Sequence, residues 1–417
     1  IEFMAQHLDG VFGLTILDTN TKQLHVVRDT FGVRPLFKML TQDGTFAVSS
    51  EAKGLEDVVH HQLQYEIKWV QPGVYETYDI LNQGKIQLHK KQRFHSIGKP
   101  PVYRTLAPPI GKDVSANVRN LLKAAVKKRL MAERRIGCLL SGGLDSSLIA
   151  SLVVQCAREE GITYPIQTFS TGMEGSPDLA AARKVAAHIG SDHHEVMFTP
   201  EEGIAVLHKL IWHLETYDIT TVRASVGMYI LSKYISQKTD NIVVFSGEGA
   251  DEVCQGYIYF HKAPSAEDGD RESHRLLNDL FYFDVLRADR TTSGHGLECR
   301  VPFLDHQFTA YYLSLPAADR QPQQGMEKHL LRKAFAKTGL LPDAVLWRPK
   351  EAFSDGISSV KKGWHEILQD FVATKVSDEE LRQAPQFYPH NTPSTKEAYY
   401  YRSIFEKHYM GRAQWIP

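Results

Sequence analysis

The chain has 417 residues, 42% of them hydrophobic, with 48 Lys and Arg against 49 Asp and Glu. That is apolar material for one large core and a smaller one, while a formal net charge of -1 offers no basic footprint for nucleic acid or an anionic membrane surface. No apolar run approaches the roughly 20 residues of a membrane span, and the first residues lack the basic and apolar segments of a signal peptide, so a cytoplasmic protein with neither membrane nor nucleic acid as partner is expected.

Residues 1–95 carry short alternating apolar stretches, such as residues 10–17, 23–27 and 45–49, separated by turn residues such as Asp18-Thr-Asn20 and Gln42-Asp-Gly44. This predicts a β-rich unit. Residues 96–113 are rich in Pro and Gly without clear periodicity and are expected to be a linker. From residue 114 to 417 the pattern changes. Val118, Leu121, Leu122, Ala125 and Val126 recur at helical spacing. Expected strands at 136–140, 166–170, 195–198 and 241–245 then alternate with helices at 146–160, 177–189 and 201–237. Such alternation predicts an α/β fold with a parallel sheet covered on both faces, and ligands in such sheets bind outside the carboxyl ends of the strands. The remainder, from about residue 257, reads as mostly helical. The four cysteines, Cys138, Cys156, Cys254 and Cys299, show no metal-binding spacing and lie in apolar stretches, as buried free thiols do.

Two motifs fall where such a sheet would place its ligand. Ser141-Gly-Gly-Leu-Asp-Ser-Ser147 follows the first strand and opens a helix. Gly142 and Gly143 let the backbone turn closely, the helix start presents N–H groups, and the hydroxyls of Ser141, Ser146 and Ser147 add donors for a pyrophosphate. With no lysine it is not a GxxxxGK[ST] loop, but Asp145 offers a carboxylate to Mg²⁺. Phe245-Ser-Gly-Glu-Gly-Ala-Asp-Glu252 follows the strand at 241–245 and adds Glu248, Asp251 and Glu252. Like charges so close repel unless a cation bridges them or one is protonated, and Mg²⁺ is the simplest resolution. Thr220-Thr-Val-Arg223 and Arg348-Pro-Lys350 supply cations that could hold a leaving pyrophosphate; singly, each is an ordinary surface group. Histidines 193 and 194 lack a third ligand at useful spacing and are expected to be structural.

These loops resemble those of ATP-dependent amidotransferases. Four longer stretches, residues 214–225, 256–264, 300–305 and 347–356, narrow the resemblance to the glutamine-hydrolysing asparagine synthetases of the animal-like form. The resemblance implies an ATP-pyrophosphatase-like (adenine nucleotide α hydrolase-like) synthetase domain after a partial Ntn glutaminase domain. It implies ATP and Mg²⁺ as cofactors, with aspartate converted to asparagine through β-aspartyl-AMP, releasing AMP and pyrophosphate. Carried over by motif, Leu139 and Thr171 would contact adenosine, Ser246 and Gly247 its ribose or ring, and residues 141–147 the phosphates. Asp145 and Asp251 would hold Mg²⁺, with Glu248 needed for intermediate formation and Thr220, Arg223 and Lys350 stabilising the phosphoryl transition state. Thr171 departs from the apolar side chain expected there. The family's glutaminase uses an N-terminal cysteine; here the first residue is Ile1 and the first cysteine Cys138. The expected nitrogen donor for this chain is therefore ammonia, glutamine being that of the intact family enzyme, and the β-rich remnant is expected to expose edges and an apolar face. Asp284, Arg287 and Arg300 are candidates for selecting aspartate. A homodimer is an open assembly, and a catalytically silent nucleotide-binding or scaffolding relative is the alternative reading.

Overall fold

A computed structural model describes residues 1–42, 44–56, 65–350, 356–358 and 362–416. Asp43 of the turn at residues 42–44 and five residues of the 347–356 stretch thus fall outside the described residues.

The first unit contains β1 (Gly13–Asp18), β2 (Gln23–Arg28), β3 (Phe37–Thr41), β4 (Phe46–Ser49), β5 (Tyr65–Trp69), β6 (Val74–Ile80) and β7 (Ile86–Arg93). They form two antiparallel sheets, ordered β1-β2-β6-β7 and β4-β3-β5. The outer strand β7 is largely exposed and carries Lys90, Lys91 and Arg93, the kind of charged edge that discourages pairing with another chain.

The second unit begins with α1 (Val114–Lys128), whose first turn is capped by the Asp113 side chain accepting from the Ala116 N–H at 3.1 Å. Along the chain follow β8 (Arg135–Leu139), α2 (Leu144–Glu159), β9 (Gln167–Gly172), α3 (Pro177–Ile189), β10 (Asp192–Met197), α4 (Leu207–Leu214), α5 (Ile219–Lys238) and β11 (Asn241–Phe245). Then come α6 (Ala250–Val253), α7 (Asp284–Ser293), β12 (Glu298–Arg300), α8 (His306–Ser314), α9 (His329–Phe335) and α10 (Lys396–His408). The strands make one parallel sheet in the order β10-β9-β8-β11-β12. From β8 the chain builds outward to β9 and β10, then crosses to β11 on the other side. The carboxyl ends of β8 and β11 therefore lie side by side at a topological switch point, where a crevice opens.

The predicted alternation is present, with three differences. Helix α2 starts at Leu144, two residues early, because Gly143 takes the N-cap position. The expected helix at 201–237 is divided: Glu215 turns left-handed at φ 56° after α4, and Asp218 caps α5 through the Thr221 N–H. Strand β12, three residues long, is too short to show a period, yet it extends the sheet beside β11.

The β-rich unit does not expose the apolar face expected of it. Phe37, Met39, Leu55 and Ile67 share one core with Leu207, Leu210, Leu214, Phe405 and Trp415, and Phe31 and Val33 enter the core of the parallel sheet. Polar contacts fix the seam. Glu215 accepts from the backbone N–H groups of Ala52 at 3.0 Å and Lys53 at 2.7 Å, and from the Arg290 guanidinium at 2.7 Å. Arg34 reaches Asp289 at 2.9 Å. The buried Arg28 donates to the carbonyls of Gly32, Arg34 and Val70 between the rings of Trp69 and Phe281.

Side chains of Glu215 and Arg290 are each 1% exposed, so removing Glu215 leaves the interior Arg290 guanidinium with only the longer contact to Glu51, at 3.4 Å. Glu215→Ala is expected to lower stability by about 3–5 kcal/mol in chemical denaturation; a loss below about 1 kcal/mol would mean that the pair does not hold the seam.

Candidate active site

The crevice is lined by residues from four parts of the sheet. From β8 and the following loop come Leu139, Leu140, Ser141, Gly143, Asp145 and Ser146; from β9 and α3 come Phe169, Ser170, Thr171 and Asp178. Helix α5 adds Met228 and Leu231, and the loop after β11 adds Ser246, Gly247, Glu248 and Asp251. Arg287, Lys328, Arg332, Arg348, Pro349 and Lys350 close it with five cations.

The pyrophosphate-type loop is organised internally. The Ser141 and Ser146 hydroxyls lie 3.0 Å apart, and the Ser141 Oγ accepts the Gly143 N–H at 3.3 Å. Gly142 and Ser147 are not at the crevice wall: Gly142 turns towards Ala181 and Ala182 of α3, and the Ser147 hydroxyl is interior. The acidic loop presses on its neighbour. A Cβ at Gly247 would lie 2.8 Å from the Ser146 nitrogen and the Asp145 carbonyl carbon, so only glycine allows the two loops to meet. Thr171 lines the apolar side, and its hydroxyl donates to the Val196 carbonyl at 2.8 Å, which accounts for a polar residue at that position.

The crowding of carboxylates is resolved by cations of the chain itself. Lys328, 2% exposed, bridges Asp145 and Asp251, lying 2.6 Å from Asp251 Oδ1. Lys350 Nζ donates to Asp251 Oδ2 at 2.6 Å. Burial pushes the Asp251 carboxyl up, but Lys328 and Lys350 outweigh it and hold the group well below the usual carboxylate range. Glu252, beneath the site, goes the other way: burial, then Asp284 and Asp251, raise it, and Tyr257 donates a hydrogen bond to it. Glu248 accepts two hydrogen bonds from Arg287, at 2.8 and 2.9 Å, and Asp284 holds the same guanidinium at 2.7 Å. Burial raises Glu248 to about 7, with Arg287 pulling it down and Asp284 and Asp251 pushing it up.

One carboxylate oxygen is left for a divalent cation, since both oxygens of Asp251 are held by Lys328 and Lys350. Asp145 Oδ1 is buried and accepts no hydrogen bond, leaving a carboxylate oxygen beside Asp251 of the kind Mg²⁺ takes.

Thr220, Arg223 and Arg300 do not line the crevice. Thr220 is exposed in the first turn of α5, and Arg223, one turn on, forms a two-pronged ion pair with the buried Glu397 of α10; neither lines the crevice. Arg300 bonds Glu298 and the carbonyls of Arg129 and Met131, and Asp305 caps α8 while pairing with Lys128 at 2.6 Å and Arg129 at 2.9 Å. The 300–305 motif thus docks β12 onto α1, and Arg300 stands outside the crevice wall. Histidines 193 and 194 are held by hydroxyl and amide partners, including Thr168, Ser170, Tyr234 and Gln167. Lys328, Arg332 and Asp178 also line the crevice, without a local motif to announce them.

The raised Glu248 carboxyl has a testable sign. It binds its proton more tightly folded than unfolded, so the resulting stability is full below 4.5 and lost as pH rises through about 7. Glu248→Gln is expected to melt higher than wild type above pH 7 and alike below 4.5, and Arg287→Gln to move the Glu248 titration above about 7 in carboxyl NMR. A Glu248 titration at 4.5 in the wild type would refute the assignment.

Comparison with known proteins agrees with this geometry. The asparagine synthase family model matches residues 117–271 and 264–415, and the glutamine amidotransferase domain model matches residues 2–92. Asparagine synthetase [glutamine-hydrolyzing] of Gallus gallus is 58% identical over 425 residues, spanning 100% of this chain and 76% of the relative. The proteins of the same name from Bos taurus and Homo sapiens are 57% and 56% identical, covering 100% and 98% of this chain and 76% and 74% of their own lengths. With loops, sheet order and relatives in agreement, the chain belongs to the glutamine-hydrolysing asparagine synthetase family.

Proposed function

We propose that the crevice is the synthetase site of a carbon–nitrogen ligase that turns aspartate into asparagine at the expense of ATP. Within this reading residues 1–95 are the glutaminase-type unit, 96–113 the linker and 114–417 the synthetase unit. The observation that carries it is the position of Asp251, between Lys328 and Lys350 and facing the loop at residues 141–147. Anionic phosphates and a carboxylate substrate need such alternating charges, already fixed before the reaction.

The chemistry follows from the wall of the crevice. Leu139, Phe169, Thr171, Met228 and Leu231 form the apolar side that receives adenine, and Ser246 and Gly247 border the ribose. The N–H groups and hydroxyls at the start of α2 take the phosphates. Asp145 and Asp251 would hold Mg²⁺, which neutralises charge on phosphate oxygens when bound. Arg287, oriented by Glu248 and Asp284, is placed to hold the substrate carboxylate. An oxygen of the aspartate side chain attacks the α-phosphorus of ATP, the bond to the β-phosphate oxygen breaks, and pyrophosphate leaves with Lys350 beside it. Ammonia then attacks the acyl carbon of β-aspartyl-AMP, AMP departs with the C–O bonding pair, and a proton is lost from nitrogen. Both steps gain from holding the partners in contact.

All four cysteines are buried, and burial raises each thiol. Residues 2–92 match the glutamine amidotransferase model, and the relatives are named for glutamine hydrolysis, so glutamine is the family's nitrogen donor and ammonia the nucleophile of the second step. The unpaired thiols support a cytoplasmic location, and among the described residues no helix is long and apolar enough to cross a membrane.

Purified protein is expected to release pyrophosphate only with ATP, Mg²⁺ and aspartate together, and to form asparagine with ammonium. Lys350→Ala should lower pyrophosphate release by about 10²–10³-fold. Binding of ATP without turnover, unaltered by Lys350→Ala, would instead establish a catalytically silent nucleotide-binding relative.

A further inference from the structure

The segment Arg348-Pro-Lys350 touches three crossovers of the parallel sheet at once. Lys350 ends on Asp251, in the loop after β11, at 2.6 Å. Arg348 faces the opposite wall: one guanidinium nitrogen donates to Asp178 Oδ1 at 2.9 Å, in the first turn of α3, and another to the Gly142 carbonyl at 3.3 Å, in the loop after β8. Pro349 lines the crevice between them, and its fixed φ makes it a stiff spacer.

Asp178 is 6% exposed and has a second neighbour. A Cβ at Gly356 would lie 2.3–2.5 Å from three atoms of the Asp178 carboxylate, so no other residue fits there without moving it. That approach is fixed by neighbouring bonds: the Ser176 hydroxyl donates to the Gly356 carbonyl at 2.7 Å, and the Met173 N–H to the Ile357 carbonyl at 2.8 Å. Two points of the chain, Arg348 and Gly356, therefore meet on one carboxylate, and Lys350 lies between them in sequence. Lysine has a long flexible stem and a point charge. What fixes its reach is the backbone that carries it.

We propose that Asp178 and Arg348 are positioning residues of the synthetase reaction, an ion-paired catch that seats Lys350 over the phosphate loop. The proposal rests on the reading of the crevice as the ATP site. Arg348 is suited to the task because two nitrogens of its planar fork reach a carboxylate and a carbonyl in a fixed geometry, which a lysine's point charge on a flexible stem does not impose. Asp178 lies at a helix N-terminus, where a negative charge is favoured. A misplacement of about 1 Å at a reacting group costs about 10²-fold in rate, so loosening the catch should act on turnover more than on nucleotide binding.

The test compares wild type with Asp178→Asn, Arg348→Lys, Gly356→Ala and the double variant Asp178→Asn/Arg348→Lys. Pyrophosphate release, KM for ATP and melting temperature are read for each. The expected result is a kcat about 10²-fold lower in each single variant, with KM for ATP changed less than about threefold, at an assay temperature below each variant's own melting temperature. The double variant should lose no more than either single one, because both break one unit. Gly356→Ala is decisive for the mechanism, since it changes no charge and acts by moving the carboxylate; it also carries the test if Asp178→Asn fails to fold. Unchanged kcat in Gly356→Ala and Arg348→Lys, or losses that multiply in the double variant, would overturn the proposal. A wild-type protein that releases no pyrophosphate would instead refute the reading of the site on which it rests.

Discussion

A carboxylate withdrawn from water needs a cation within reach, and the synthetase half is arranged around meeting that need at Asp251. The acidic group comes from the loop after β11, Lys350 from a segment nearly one hundred residues further on, and Lys328 from the residue that precedes α9. None of the three is stable in that position alone, since each isolated charge would face a large desolvation cost. Together they require the strand order that sets β8 beside β11 and the close approach of the two loops at Gly247. The acidic cluster is thus a consequence of the sheet's switch point as much as of the residues that form it. The same arrangement separates neighbouring carboxyl groups in pKa: Asp251 is kept ionised by lysines, while Glu248 and Glu252 are pushed upward by burial and by like charges around them. One loop of a few residues thereby presents carboxyl groups in different protonation states.

How far the sequence discloses this depends on the range of each interaction. The parallel sheet was readable because strand and helix periods are local, and the two loops were readable because each directly follows an apolar run. Lys328 was not. In sequence, Lys328 and Arg332 are cations one helical turn apart, the ordinary signature of a solvated helix face; only the fold shows both turned into the crevice. Thr220 and Arg223 failed for the converse reason. Their motif is local, but the partner that takes up Arg223 is Glu397, 174 residues away. The crowding of carboxylates was foreseen, and its resolution by lysines of the chain was not, because a cation supplied by the fold has no signature near the acids it neutralises.

The stretch at residues 300–305 shows how a motif can mark a family without marking chemistry. Arg300 ties β12 to carbonyls at the end of α1, and Asp305 caps α8 while neutralising Lys128 and Arg129. Burial pushes the Asp305 carboxyl up, and Arg129 and Lys128 bring it down to about 2, as a carboxylate held for structural purposes behaves. Its service to the site is indirect: β12 supports β11, and β11 carries the acidic loop.

The seam between the halves has a consequence for how such a chain can change. A Pro- and Gly-rich connection suggests two parts that could be exchanged independently, but the packing contradicts that picture. Phe37 on β3 stacks on Trp69 and faces Trp415, and the Trp69 indole donates to the Trp415 carbonyl at 3.0 Å. The second sheet of the β-rich unit thus finishes a core that Phe405 and Trp415 begin. A replacement that enlarges or shrinks a side chain on β5 must be answered at Trp415, 346 positions away. The two halves are therefore heritable only as a matched pair, and a β-rich unit borrowed from a distant relative would bring the wrong half of a shared interior.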